Sequence, residues 1–113
     1  MSKTKLLFIC TGNQDRSPTA EDLFRRSQDY EARSAGTSPF AMQKVTQELV
    51  DWADKIFVMS ELEDRHLSFL EANFKLKGKA VYDLEIPDRY ERGSQELTNL
   101  IAARVARHLS ARR

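Results

Sequence analysis

One eight-residue stretch concentrates the groups that could do chemistry: Cys10-Thr11-Gly12-Asn13-Gln14-Asp15-Arg16-Ser17. It holds the only thiol of the chain, a guanidinium six positions further on, and between them a Gly-Asn pair able to take positive φ. A loop of this kind can turn successive backbone N–H groups inward as an anion-binding nest. A helix expected to open at Ser17-Pro18, with Ser17 as its cap and Pro18 at its first position, would set its positive end behind that nest. Arg16 adds a planar fork that matches two oxygens of a phosphate. A helix N-terminus and a nearby cation also favour the thiolate, the nucleophilic form of cysteine, and the Ser17 hydroxyl could donate to it. An anion site and a reactive thiol are thus built into one segment. The competing reading is an inert Cys10, a small hydrophobe closing a core strand; Arg16 and the Gly-Asn pair weigh against it.

These residues must be held by a scaffold, and composition bounds its kind. The chain has 113 residues with a formal charge of +1, 41% hydrophobic and 31% charged. That suits a single globular domain over residues 1–113, large enough to bury a core without staples. One cysteine excludes an internal disulfide framework, a zinc knuckle and a two-cysteine redox relay. No stretch is apolar enough for a signal peptide or a membrane span, so a reducing cytoplasm is the expected compartment. A net charge near zero gives no general pull towards nucleic acid. Arg104, Arg107, Arg112 and Arg113 at the C-terminus are unbalanced by acid, but cations near a helix end are favourable without any partner.

Periodicity supplies the elements. Lys5 to Cys10 reads as an apolar strand buried on both faces, and Lys55 to Met59 as another. Glu31 to Ala35, closed by Gly36, and Lys79 to Leu84 are the remaining strand candidates. Helices are expected after Ser17, with Leu23, Phe24 and Ala20 as apolar stripe, and over Val45 to Ala53, with Trp52 in the core. A single amphipathic helix is expected over Glu61 to Phe74, on the stripe Leu62, His66, Phe69, Leu70 and Phe74. A last helix runs from about Ser94 with the stripe Leu97, Leu100, Ile101, Val105 and Leu109. Alternation of strand and helix predicts a three-layer α/β/α arrangement around a four-stranded parallel sheet. Ligands of such sheets sit beyond the carboxyl ends of the strands, where both Cys10 and the loop Glu85 to Gly93 fall.

Phe8-Ile9-Cys10-Thr11-Gly12-Asn13, Arg16-Ser17-Pro18 and Ala20-Glu21 resemble the signature of the low-molecular-weight protein tyrosine phosphatases. Ser34-Ala35-Gly36-Thr37, Ala53 to Met59 and Ile86-Pro87-Asp88-Arg89-Tyr90 resemble later stretches of the same family, in the same order. The resemblance implies a flavodoxin-like sheet of order 2-1-3-4 and a metal-free, cofactor-free phosphatase acting on a phosphorylated protein or small molecule. It further implies that Cys10 attacks phosphorus to form a phosphocysteine. Arg16 and the backbone of Thr11, Gly12, Asn13, Gln14 and Asp15, with Ser17, would hold the phosphate oxygens. Asp88 would act as general acid, Asn13 would support the loop from within by bonding towards Ser34, and Tyr90 would flank an aromatic leaving group. Asp83 and Glu85 are rivals for the acid, since spacing alone does not choose among the three. His66 and His108 read as lone helix residues.

The chain departs from the family pattern at several points. Asp15 stands where a second, protective cysteine is frequent, and its side chain is expected to turn outward. The segment from Thr37 to Val45 is short where the family builds an aromatic wall, leaving Phe40 as a substitute or a plain surface residue. Arg89 and Glu91 replace a usual proline and an aromatic, which opens the pocket. Two other activities compete: arsenate reduction drawing on an external thiol, and phosphate or nucleic-acid binding without catalysis. A monomer or weak dimer without membrane attachment is expected.

Overall fold

A computed structural model describes residues 3–109. Four strands, β1 (Thr4–Cys10), β2 (Tyr30–Gly36), β3 (Lys55–Val58) and β4 (Val81–Asp83), form one parallel sheet in the order β2-β1-β3-β4. The interleaved helices are α1 (Arg16–Leu23), α2 (Gln47–Trp52), α3 (Glu61–Asp64), α4 (His66–Asn73) and α5 (Gln95–Leu109). This is the expected parallel sheet and strand order.

β1 is central, and its side chains alternate between two cores. Leu6, Phe8 and Cys10 face one core with Ala20, Phe57, Met59, Ile86, Leu97, Ile101 and Val105. Leu7 and Ile9 face the other with Ala35, Val50, Ile56, Val58 and Leu70. α1 and α5 therefore cover one face, and α2 and α4 the other. Stacked rings run through the first core: Phe24 on Phe8, Phe8 on Phe57, Phe57 on Tyr82. Complete burial of a side chain such as Phe8 is worth about 1.5–3 kcal/mol, so this core fixes β1, and with it Cys10, firmly.

Several local expectations are corrected. The region Glu61 to Phe74 is two helices, because Arg65 between them adopts the left-handed conformation at φ 56°. Leu62 consequently leaves the apolar stripe and is 90% exposed, whereas His66 and Leu70 are buried. On α1 the buried face is Arg16 to Ala20, and Leu23 is exposed. Trp52 is only half-buried, with the Arg33 guanidinium 4.3 Å above its ring. Arg104 is not a free cation: its Nη1 donates to the carbonyls of Leu84 and Glu85. Arg112 and Arg113 lie outside the described residues. Among the described residues no helix is long and apolar enough to cross a membrane.

Candidate active site

β1 lies between β2 and β3, with Cys10 opposite Gly36 and Ile9 opposite Val58, so the chain leaves Cys10 at the crevice where strand order reverses. The loop that follows is shaped from outside. The carbonyl oxygens of Cys10, Thr11 and Gly12 accept hydrogen bonds from the backbone N–H groups of Thr37, Ser38 and Met42, at 2.9, 3.0 and 3.1 Å. In a trans peptide the carbonyl and the next N–H point in opposite directions. Binding these three carbonyls from outside thus turns the amides of Thr11, Gly12 and Asn13 towards the loop's interior. The Asn13 N–H indeed points at the Cys10 sulfur, 3.2 Å away.

The backbone turn itself rests on Asn13, at φ 55°, and not on Gly12. Gly12 has ordinary φ, and a Cβ there would meet only the Gln14 side chain at van der Waals distance. The glycine that the loop requires is Gly36. A Cβ on it would stand 2.4 Å from the Thr11 carbonyl and 2.7 Å from the Ala41 Cβ.

Cys10 is 2% exposed, with its sulfur 2.9 Å from the Ser17 hydroxyl. Contrary to the expectation from the sequence, Ser17 therefore does not cap α1. The helix starts two residues earlier, after Asp15, which makes no side-chain cap, and the Ser17 hydroxyl is engaged with the thiol. Pro18 occupies the third helical position, where its missing N–H costs nothing because helix-start amides have no partner within the helix. Asn13 Nδ2 donates to Ser17 Oγ at 3.0 Å and to Ser34 Oγ at 2.9 Å, and Ser34 in turn donates to Glu21. A buried hydrogen-bonded chain thus links the sulfur, α1 and β2.

Arg16 is 1% exposed. Its Nη1 donates to Asp64 Oδ2 at 2.9 Å and to the Ile86 carbonyl at 2.8 Å. Its Nε faces Asp88 Oδ1 at 3.7 Å, and the Asp88 side chain is 59% exposed. Of the three carboxylates considered for the acid, Asp88 is the one brought to Arg16. Asp83 accepts instead from the backbone N–H groups of Glu61 and Glu85, and Glu85 is exposed. Asp15 turns away from the loop, its Oδ1 accepting from the Arg92 N–H at 3.0 Å. Arg92 also grips Asp22 with a two-pronged ion pair, and the Gly93 N–H donates to Thr19 Oγ1 at 2.9 Å. Burial pushes the Asp22 carboxyl up, but the hydrogen bonds of Arg25 and Arg92 win and hold it below its usual range. The loop carrying Asp88 is thus pinned to α1. Tyr90 is half-buried against the first core, Gln14 is exposed, and Phe40 is 90% exposed. Beside the loop lies a cleft of about 400 Å³ lined by Asn13, Gln14, Pro18, Glu21, Ser34, Met42 and Arg92.

Residues 5–55 match the family model described as low molecular weight phosphotyrosine protein phosphatase. A solved low molecular weight phosphotyrosine phosphatase from Vibrio cholerae O395 shares 26% identity, with a TM-score of 0.71 over 96% of this chain and 97% of that one. Over residues 5–55, and in its fold, the chain is similar to the low molecular weight phosphotyrosine phosphatases. The tyrosine phosphatase Wzb of Escherichia coli K30, solved with phosphate, has the same fold at 24% identity, with a TM-score of 0.73 over 99% of this chain and all of that one. So does the YwlE arginine phosphatase of Geobacillus stearothermophilus, at 22% identity and a TM-score of 0.67 over 95% and 93% of the two chains. No protein of curated function matches the sequence significantly.

Two residues that contact the loop after Cys10 escaped the sequence reading, Asp64 and His66. His66 is completely buried; its Nδ1 accepts from the Ser60 N–H at 3.0 Å, so Nε2 carries the proton and donates to Thr11 Oγ1 at 2.9 Å. Burial, and then the Arg16 charge, push the His66 pKa down to about 4, against the opposite pull of Asp64, Asp83 and Glu61. The ring is neutral at pH 7. Among the described residues no group of three or more His, Cys, Asp or Glu side chains could hold a metal ion.

Proposed function

We propose that this cysteine-based phosphatase hydrolyses phosphate monoesters, aryl esters such as phosphotyrosine among them, through a phosphocysteine. The observation that carries the reading is the surroundings of Cys10. Its sulfur lies at the floor of a loop whose carbonyls are bound from outside, receives the Asn13 N–H, and lies at hydrogen-bond distance from the Ser17 hydroxyl. Inward amides with Arg16 form a cradle for three phosphate oxygens beside the Cys10 sulfur.

In the first step the Cys10 thiolate attacks phosphorus, the S–P bond forms and the P–O bond to the leaving group breaks. Asp88, at the solvent side of Arg16, gives its proton to the departing oxygen. In the second step the Asp88 carboxylate takes a proton from water, whose oxygen attacks phosphorus. The S–P bond breaks, releasing phosphate and restoring the thiolate. Arg16 and the amides of Thr11 to Arg16 hold the equatorial oxygens throughout. Asn13 and Ser34 support the loop, and Tyr90 borders the leaving group.

The test is hydrolysis of para-nitrophenyl phosphate, without added metal, by the parent, Cys10→Ser and Asp88→Asn. The expected result is activity in the parent, none in Cys10→Ser, and a loss of about 10²–10⁴-fold in Asp88→Asn. Equal turnover by Asp88→Asn and parent would remove Asp88 from the mechanism. An inert parent that reduces arsenate with added glutathione would replace the phosphatase reading altogether.

A further inference from the structure

The turn between β3 and α4 reaches both ends of the anion loop. Asp64 holds Arg16, the loop's last residue, and His66 holds Thr11, the residue after the cysteine. The two side chains are separated by one residue, Arg65, whose left-handed backbone breaks what would otherwise be a continuous helix. In a continuous helix, positions two apart point some 200° away from each other and could not both face one loop. The break at Arg65 is what aims both inward. It is held in place from several sides: the Arg65 N–H donates to the Glu61 carbonyl, Arg65 Nε donates to Glu61 Oε2, and Ser60 caps α3 while its own N–H donates to His66. For a residue that is not glycine, left-handed backbone costs roughly 1–2 kcal/mol and persists only where the surroundings demand it.

We infer that Asp64 and His66 are positioning residues that act as a two-point brace on the anion loop. Asp64 selects which edge of Arg16 meets the substrate, and His66 fixes the loop's first turn through Thr11. The inference rests on the phosphatase reading for its catalytic consequence but not for its structural content. With Nη1 occupied by Asp64 and the Ile86 carbonyl, the guanidinium can offer the anion only its Nε and Nη2 edge, the two-pronged edge suited to two phosphate oxygens. Without Asp64 the Ile86 carbonyl alone holds Nη1, and the fork is less firmly fixed about its last torsion. The Asp64 charge alone would oppose an anion, so what it contributes at this spot is orientation of Arg16.

The test compares the parent with Asp64→Ser, too short to reach Nη1, Asp64→Asn, which keeps an acceptor oxygen, and Thr11→Val, which removes the acceptor of His66 without changing shape. Two readouts are taken: exchange of the Arg16 Nε proton with water by nitrogen-15 NMR, and kcat and KM for para-nitrophenyl phosphate. In Asp64→Ser, Arg16 proton exchange is expected to quicken about tenfold and kcat to fall about tenfold, with KM changing less, because the lost alignment matters most where transition-state charge is greatest. Asp64→Asn is expected to restore both to within about threefold. Thr11→Val is expected to lower kcat about threefold or more, since an unsatisfied buried donor loosens the first turn. A folded Asp64→Ser chain with parental exchange and parental kcat overturns the inference, as does failure of Asp64→Asn to restore Arg16 protection. If the parent hydrolyses no ester, the phosphatase reading fails, and the exchange comparison still decides the brace.

Discussion

His66 makes the stability of the fold depend on pH in a way that can be worked out in advance. The ring is completely buried, accepts a hydrogen bond at Nδ1 and lies near the Arg16 charge, so its pKa falls from 6.5 to about 4. In the unfolded chain nothing depresses it. As pH drops through 6.5 the unfolded state takes up a proton that the folded state refuses, and stability declines until the folded pKa is passed. The whole gap from 6.5 to about 4 corresponds to about 3 kcal/mol, of which about 2 kcal/mol falls between pH 7 and pH 5. For a chain of this size that is a shift of roughly 1–2 M in the urea midpoint. The assay is urea unfolding at both pH values for the parent and for His66→Gln. The substitution leaves the Ser60 and Thr11 partners poorly served and lowers stability at every pH, so the difference in slope is the quantity to read. The variant is expected to lose about 2 kcal/mol less than the parent between pH 7 and pH 5. Parallel pH dependence in the two chains would show that His66 titrates normally in the fold, and would refute the reasoning.

Gly36→Ala forces a Cβ against the Thr11 carbonyl, a backbone atom that cannot step aside cheaply. Thermal unfolding is expected to show a loss of about 1–3 kcal/mol or more, and an unchanged midpoint would mean that the 37–42 segment yields freely. At Asn13, alanine loses both side-chain hydrogen bonds and bears the left-handed backbone, whereas glycine loses only the bonds. Asn13→Ala should therefore be less stable than Asn13→Gly by about 1 kcal/mol in chemical denaturation, and equal stabilities would remove the backbone argument. With one cysteine in the chain, no second thiol can trap oxidised Cys10. Mass spectrometry after mild peroxide is expected to find sulfinic acid, and full recovery of the thiol on adding dithiothreitol would contradict this.

Sequence patterns revealed the sheet because they are local and strong. The runs Leu6 to Ile9 and Ile56 to Val58 are apolar throughout, as strands covered on both faces must be, and their burial is complete. The loop's thiol, arginine and asparagine were visible for the same reason, being close in the chain. What escaped depends on tertiary partners. Ser17 looked like a cap because serine before proline usually is one, and only the position of Cys10 shows where its hydroxyl goes. His66 fell on a helical period with Leu70, and that period correctly signals burial but says nothing of a ring nitrogen aimed at Thr11. Asp64 was one acid in an acidic run. Its meeting with Arg16, 48 residues away in the chain, follows from the left-handed Arg65, a conformation that no propensity favours for arginine.

The span from Ile86 to Arg92 is tethered at both ends to the element that carries Arg16: the Ile86 carbonyl to the Arg16 side chain, Arg92 to Asp15 and Asp22. Asp88 rides on a short arch whose two feet stand on the same pier as the loop after Cys10. Motions of α1 relative to the sheet carry both together, and the gap between Asp88 and Arg16 is set by the arch's own length. On the proposed mechanism, the acid and Arg16 are already held together on such a frame. The rate of turnover should respond to insertions within the arch far more than to loosening of the distant helices.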